Sequence, residues 1–167
     1  MSSHHHHHAP FVNTALLLLV IILTAVATFT SYWGTGTTNH TGIYQWGTAE
    51  GNEIFQKYPT WWKWVVVCQL IAFSLELLFL LLCIPAILFR KMLPVHAIST
   101  AISFFIFIFL TIALITFAVN ISDYSDLHDN FKLGWSWYIS LAADIFAFFL
   151  FLTTSASIGY GTYHHYR

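Results

Sequence analysis

Four stretches of this chain are too long and too continuously apolar to be anything but membrane crossings. The run Ala15-Leu-Leu-Leu-Leu-Val-Ile-Ile-Leu has no polar face for an amphipathic surface helix to turn toward water. A span of about 20 apolar residues crosses a hydrocarbon layer of about 30 Å. Spans are placed at residues 10–31, 64–89, 95–119 and 137–158, joined by a loop over 32–63, a turn over 90–94 and a second loop over 120–136. A His-rich segment occupies 1–9 and a tail 159–167. The expected fold is an all-α, four-transmembrane-helix bundle with a small β-containing extracellular cap.

Pro10 opens the first span where a missing amide costs a helix little, and the lack of a basic n-region marks that span as retained, not cleaved. Pro85 predicts a kink or an early stop near the end of the second span. Gly159 and Gly161 predict the end of the fourth helix. His4 to His8 read either as a purification tag or as a native metal-binding tract. Cys68 and Cys83 share the second span, where fifteen helical rises hold them roughly 22 Å apart, so they cannot bond to each other within that helix.

With 8% charged residues and a formal net charge of −1, the chain has no basic run able to neutralise a phosphate backbone, and nucleic acid is excluded as a partner. The bilayer is the first partner. The chain shows no His-Glu-x-x-His, phosphate-cradling glycine loop, Gly-x-Ser-x-Gly elbow or Cys-x-x-Cys pair. Haem would need His ligands inside the spans, and His96 lies only at a boundary. His128 beside Asp126 and Asp129 reads as solvated charge, with a small metal site as the alternative. No catalytic residue, cofactor or metal is assigned, and the protein is expected not to be an enzyme.

Arg90 and Lys91 sit beside span ends without any acid, whereas Lys57, Lys63 and Lys132 are mixed with Glu50, Glu53, Asp123, Asp126 and Asp129. The Arg90-Lys91 side is therefore expected to be cytoplasmic, with both termini, most naturally in the plasma membrane. The sequons at Asn39 and Asn120 both fall on the opposite side, as glycosylation requires. Asn120 lies close to the third span, which makes Asn39 the better acceptor. Tyr32, Trp33, Trp61, Trp62, Trp64, Trp135, Trp137 and Tyr138 crowd the outer boundary and read as an interfacial belt.

The outer loop of roughly thirty residues is long for a connector and holds a β-like segment, Gly42-Ile-Tyr-Gln-Trp-Gly47. Trp33 just after the first span, and Gly42-Ile43-Tyr44 where a Gly-Leu-Trp pattern would stand, resemble the claudin, peripheral myelin protein and epithelial membrane protein superfamily of four-span proteins. The entry Gly134-Trp135-Ser136-Trp137-Tyr138 is similar as well. Gly47 stands at the place of the family's first loop Cys, no second loop Cys exists, and Tyr44 replaces the Trp. The resemblance implies a small outer sheet held, without its disulfide, by packing of Trp33, Tyr44 and Trp46 on the span ends. The terminal Tyr166-Arg167 differs from the apolar residue that many claudins offer to scaffold domains.

Two acids lie within the spans, Glu76 and Asp144, each costing roughly 3 kcal/mol if placed charged against lipid. One reading has them protonated or hydrogen-bonded to neighbours such as Ser140, Ser74 or Gln69. The other has them meeting a basic residue of another subunit, or lining a proton or cation path. Glycine is absent from the spans, so close helix approach falls to Thr24-x-x-x-Thr28, Ser99-x-x-x-Ser103, Ala143-x-x-x-Ala147 and Thr153-x-x-x-Ser157. The Phe-rich faces, Phe104, Phe105, Phe107, Phe109, Phe146, Phe148, Phe149 and Phe151, read as lipid-facing, with docking on another membrane subunit as the alternative.

The resemblance implies a non-enzymatic tetraspan that organises membrane or cell-cell contacts through its first outer loop, as a homo-oligomer or with another membrane protein. An auxiliary subunit docking on a channel, receptor or transporter is the second reading. A small structural subunit of an energy-converting complex is the third.

Overall fold

The computed structural model describes residues 9–36, 40–44, 51–88, 93–127 and 132–165. Among these described residues, five helices and three short strands follow in the order α1 Ala9–Phe29, β1 Gly34–Thr35, β2 His40–Thr41, α2 Gly51–Lys57, α3 Thr60–Leu88, α4 Leu93–Leu127, β3 Lys132–Leu133 and α5 Trp135–His165. Helices α1, α3, α4 and α5 are long and apolar enough to cross a membrane. They do so as helices because hydrocarbon offers backbone amides no other partners.

The bundle is a ring. Helix α3 packs on α4, α4 on α5, α5 on α1, and α1 closes against α3 through a narrower contact. Leu17, Val20, Ala72, Phe79, Ile106, Leu110, Ala143, Ala147 and Leu150 fill its interior. Of the small residues expected at the seams, Thr24, Thr28, Ser103, Ala143 and Ala147 are buried. On α5 the inward hydroxyl is Thr154, where Thr153 was expected; Thr154 pairs with Ser103 at 2.9 Å across the α4–α5 seam. Phe104, Phe105, Phe148 and Phe149 point outward, whereas Phe107, Phe109 and Phe146 pack partly into the core.

Two polar pairs reveal how the helices are staggered. Thr24 of α1 meets Glu76 of α3. Glu76 lies roughly 24 Å along α3 from its start, and Thr24 only roughly 8 Å from the end of α1, at 1.5 Å per residue. Thr111 of α4 meets Asp144 of α5, with roughly 24 Å of α4 beyond it but roughly 14 Å of α5 before it. The α3–α4 pair therefore rises past its neighbours and leaves a step at one end of the bundle. The cap sits on that step.

The sheet has the order β2-β1-β3, both pairings antiparallel. Gly34 faces Thr41 on one side and Leu133 on the other. The two connections at this end are thus joined in one structure.

Helix and strand limits differ from the span and segment limits placed in the sequence. The β-like segment was placed at 42–47, but the paired strand ends at Thr41, and residues 45–47 lie outside the described part. The loop over 32–63 also contains a helix, α2. Helix α3 starts at Thr60, ahead of residue 64, because the Pro59 carbonyl accepts from the amides of Trp62 and Lys63 and launches it. It also runs through Pro85 without stopping. Helix α4 continues beyond residue 119 to Leu127. Helix α5 passes Gly159 and Gly161: a glycine costs a helix only about 1 kcal/mol relative to alanine, too little to end it by itself.

Candidate functional site

The cap is built around two tryptophans that follow different rules from the rest. Trp33 is fully buried; its indole N–H donates to the Ala27 carbonyl at 2.5 Å, taking up an acceptor left open at the end of α1. Its backbone N–H donates to the Thr41 carbonyl at 3.0 Å, and its own carbonyl accepts from the Gly134 amide at 2.7 Å. One residue therefore ties α1, β2 and the approach to α5 together.

Trp62, near the start of α3, is buried and donates its indole N–H to the Ile43 carbonyl at 2.9 Å. Ile43 is fully buried. The Phe117 ring of α4 stands edge-on between the two indoles, 5.2 Å from Trp33 and 5.3 Å from Trp62. Val65, Val66, Ala113 and Ile121 complete the packing. Edge-to-face aromatic pairs of this kind add about 0.5–1.5 kcal/mol each beyond their burial.

A chain of rings carries this core outward to α2: Trp62 to Tyr58 at 4.9 Å, Tyr58 to Phe55 at 6.3 Å, and Phe55 to Tyr44 at 5.2 Å. The Tyr58 hydroxyl shares a 3.3 Å hydrogen bond with Thr41. Glu53, Gln56 and Lys57 of α2 remain exposed.

Two glycines let the backbone close. A Cβ on Gly134 would lie 1.9 Å from the Tyr32 carbonyl oxygen, and one on Gly42 would lie 2.8 Å from that of Thr30. The same crossing is tied by Thr30 and Ser136, whose hydroxyls are 2.7 Å apart, and by the Ser136 amide, which donates to Tyr32 at 3.1 Å.

Of the outer-loop residues singled out in the sequence, Trp33, Gly42, Ile43 and Tyr44 come together in the cap, with Tyr44 half-buried against Phe55. Trp46 and Asn39 lie outside the described residues. Trp62 and Gly134 were not assigned to the cap; Trp62 had been placed in the interfacial belt. Trp64, Trp135, Tyr138 and Tyr32 are exposed as a belt requires, but Trp33 and Trp62 are not. Asn120 lies within α4, its amide donating to the Thr116 carbonyl at 2.7 Å.

A model of the family described as tight junction protein, claudin-like, matches residues 7–161. The chain belongs to this claudin-like family. No curated protein matches it in sequence. Within the claudin-like frame the cap stands without a loop cysteine, because both cysteines lie in α3 and are free. Indole hydrogen bonds and ring packing hold the sheet in place.

Deeper in this claudin-like bundle the two acids face inward. Glu76 is fully buried; its Oε1 accepts from the Thr24 hydroxyl at 2.8 Å and its Oε2 has no partner among the described residues. Asp144 is nearly buried and accepts from the Thr111 hydroxyl at 3.1 Å on each oxygen. The expected partners are engaged elsewhere. Gln69 donates to Ser140 at 3.3 Å across the bundle, and Ser74 donates to the Leu70 carbonyl of its own helix. Polar side chains of this kind pin one helix to the next in an interior where apolar surface alone gives no preference.

Proposed function

We propose that this claudin-like tetraspan organises membrane or cell-cell contacts without catalysis, using the loop of residues 32–63 as its contact surface. The observation that supports this reading is the fixing of the described part of that loop as a shaped body: the Trp33 indole donates to the α1 backbone at Ala27, the Trp62 indole of α3 donates to the loop carbonyl of Ile43, and β1 pairs with strands from both connections. A loop serving only as a tether would need none of this. Cap residues extend outside the cell in this proposal, both termini are cytoplasmic, and the membrane is the plasma membrane. Asn39 is the proposed glycan acceptor, since the helical setting of Asn120 keeps its sequon from the extended form that modification needs.

The test is bridging. Proteoliposomes carrying the protein with the cap outward are expected to cluster, and soluble protease that cuts within 32–63 should disperse them. Vesicles that never cluster, or protease protection placing Gly42 in the cytosol of intact cells, would defeat the proposal. A second reading, lateral docking on a channel, receptor or transporter, draws on the exposed Phe104, Phe105, Phe148 and Phe149. Purification in mild detergent with a larger stoichiometric partner would favour it.

A further inference from the structure

The Glu76 carboxyl is a group that the contact-forming role leaves unused. It has no exposed surface, one oxygen is met by a single hydroxyl, and the other oxygen is met by nothing among the described residues. What the carboxyl can be there depends on the charges around it. Residues 12–29 of α1 and 97–122 of α4 contain no titratable side chain. The facing part of α5, residues 135–156, supplies Tyr138 and Asp144. Within residues 60–83 of α3 itself stand Lys63, Cys68 and Cys83.

The one cation in that set does not reach. Lys63 lies thirteen residues along the same helix, roughly 20 Å away, and its ammonium donates to the Gln56 carbonyl at 2.8 Å. Asp144 carries the wrong sign to help. An ionised Glu76 would therefore be a buried charge with no counter-charge, which low-dielectric surroundings penalise far more than an unmatched neutral group. A neutral carboxylic acid fits the observed contacts: its carbonyl oxygen accepts from Thr24, and its hydroxyl occupies the unpartnered side.

We propose that Glu76 is a proton-binding site in the interior of the bundle, with the proton on Oε2 and the Thr24 hydroxyl bonded to Oε1, so that the narrow α1–α3 seam is held by a neutral acid. The ligand is a proton. A bound metal cation is the competing occupant and would require the carboxylate. The inference is independent of what the cap binds.

Infrared spectroscopy separates the two. Protein labelled with carbon-13 at its glutamate carboxyls, reconstituted in bilayers at neutral pH, is expected to show an isotope-shifted C=O stretch of a protonated acid. That band should vanish in Glu76→Gln and persist in Asp144→Asn. In Thr24→Val it should move to higher wavenumber, because Oε1 loses its donor. Thr24→Val retains the carboxyl and so reports even if Glu76→Gln fails to fold. Carboxylate bands alone, or a C=O band indifferent to Thr24→Val, would overturn the proposal.

Discussion

The cap core and the bundle core solve the same packing problem in different solvents. Around Trp33, Ile43, Trp62 and Phe117 the interior is aromatic, its donors are satisfied by backbone carbonyls, and its outer side faces water. Around Leu17, Phe79, Ile106, Leu110 and Leu150 the interior is mainly aliphatic and interrupted by cross-helix polar pairs, and its outer side faces lipid. Burial from water drives the first. It cannot drive association in the second, because a lipid tail is as apolar as a leucine. Shape and hydrogen bonds must then decide how the helices sit, which explains why Thr24, Gln69, Glu76, Ser103, Ser140, Asp144 and Thr154 are all turned inward.

The largest effect is expected where the cap has no slack. Gly134→Ala would place a methyl group 1.9 Å from the Tyr32 carbonyl oxygen, a position that only backbone movement can relieve. The movement would break the hydrogen bond from the Gly134 amide to the Trp33 carbonyl and unseat β3. A loss of more than about 4 kcal/mol is expected, in the range reserved for severe local disruption. Gly42→Ala, with 2.8 Å to the Thr30 carbonyl, should cost less. Tryptophan-fluorescence melts in detergent would measure both. A Gly134→Ala protein as stable as the parent would show that the cap is not the tightly closed element described above.

The four spans were legible because length and apolarity are nearly the whole constraint on a crossing segment. Trp33 and the Gly42-Ile43-Tyr44 run were legible through their likeness to a known loop. Trp62 was not, since a tryptophan at a span entry has the same sequence signature whether it faces headgroups or a protein core. The partners of Glu76 and Asp144 were not legible either. Which hydroxyl meets which acid depends on the stagger that lifts α3 and α4 past α1 and α5, and no single span records an offset between helices. The passage of α5 through Gly159 and Gly161 was hidden because the glycine penalty of about 1 kcal/mol is too small to end a helix by itself.

The comparison between the two cores can be measured with a matched pair. Ile43 and Leu110 are isomeric side chains, both fully buried. Ile43→Ala should cost about 3 kcal/mol, combining the loss of transfer from water with the cavity left behind. Leu110→Ala should forfeit mainly cavity contacts, about 1–2 kcal/mol, because the transfer contribution of roughly 1.5–3 kcal/mol is small between lipid and a lipid-like core. Denaturation curves in bicelles give both values. Equal losses would mean that the cap core is shielded from water as fully as the bundle core.

The smallest expected effect distinguishes the hydrogen bonds of the two regions. Trp33→Phe keeps an aromatic ring near Phe117 but removes the indole donor to the Ala27 carbonyl, at a cost of about 1 kcal/mol for the bond. Thr111→Val removes the only hydroxyl seen on both oxygens of Asp144 among the described residues, at nearly constant volume. Cross-helix bonds in membrane bundles average about 0.6 kcal/mol, because the separated helices find other partners for their polar groups. Thr111→Val should therefore be milder than Trp33→Phe, although it strips a carboxyl and the other strips a carbonyl. If Thr111→Val proves the more damaging, Asp144 has nowhere else to turn, and the polar pairs of the bundle contribute to its stability as well as setting the rotation of its helices.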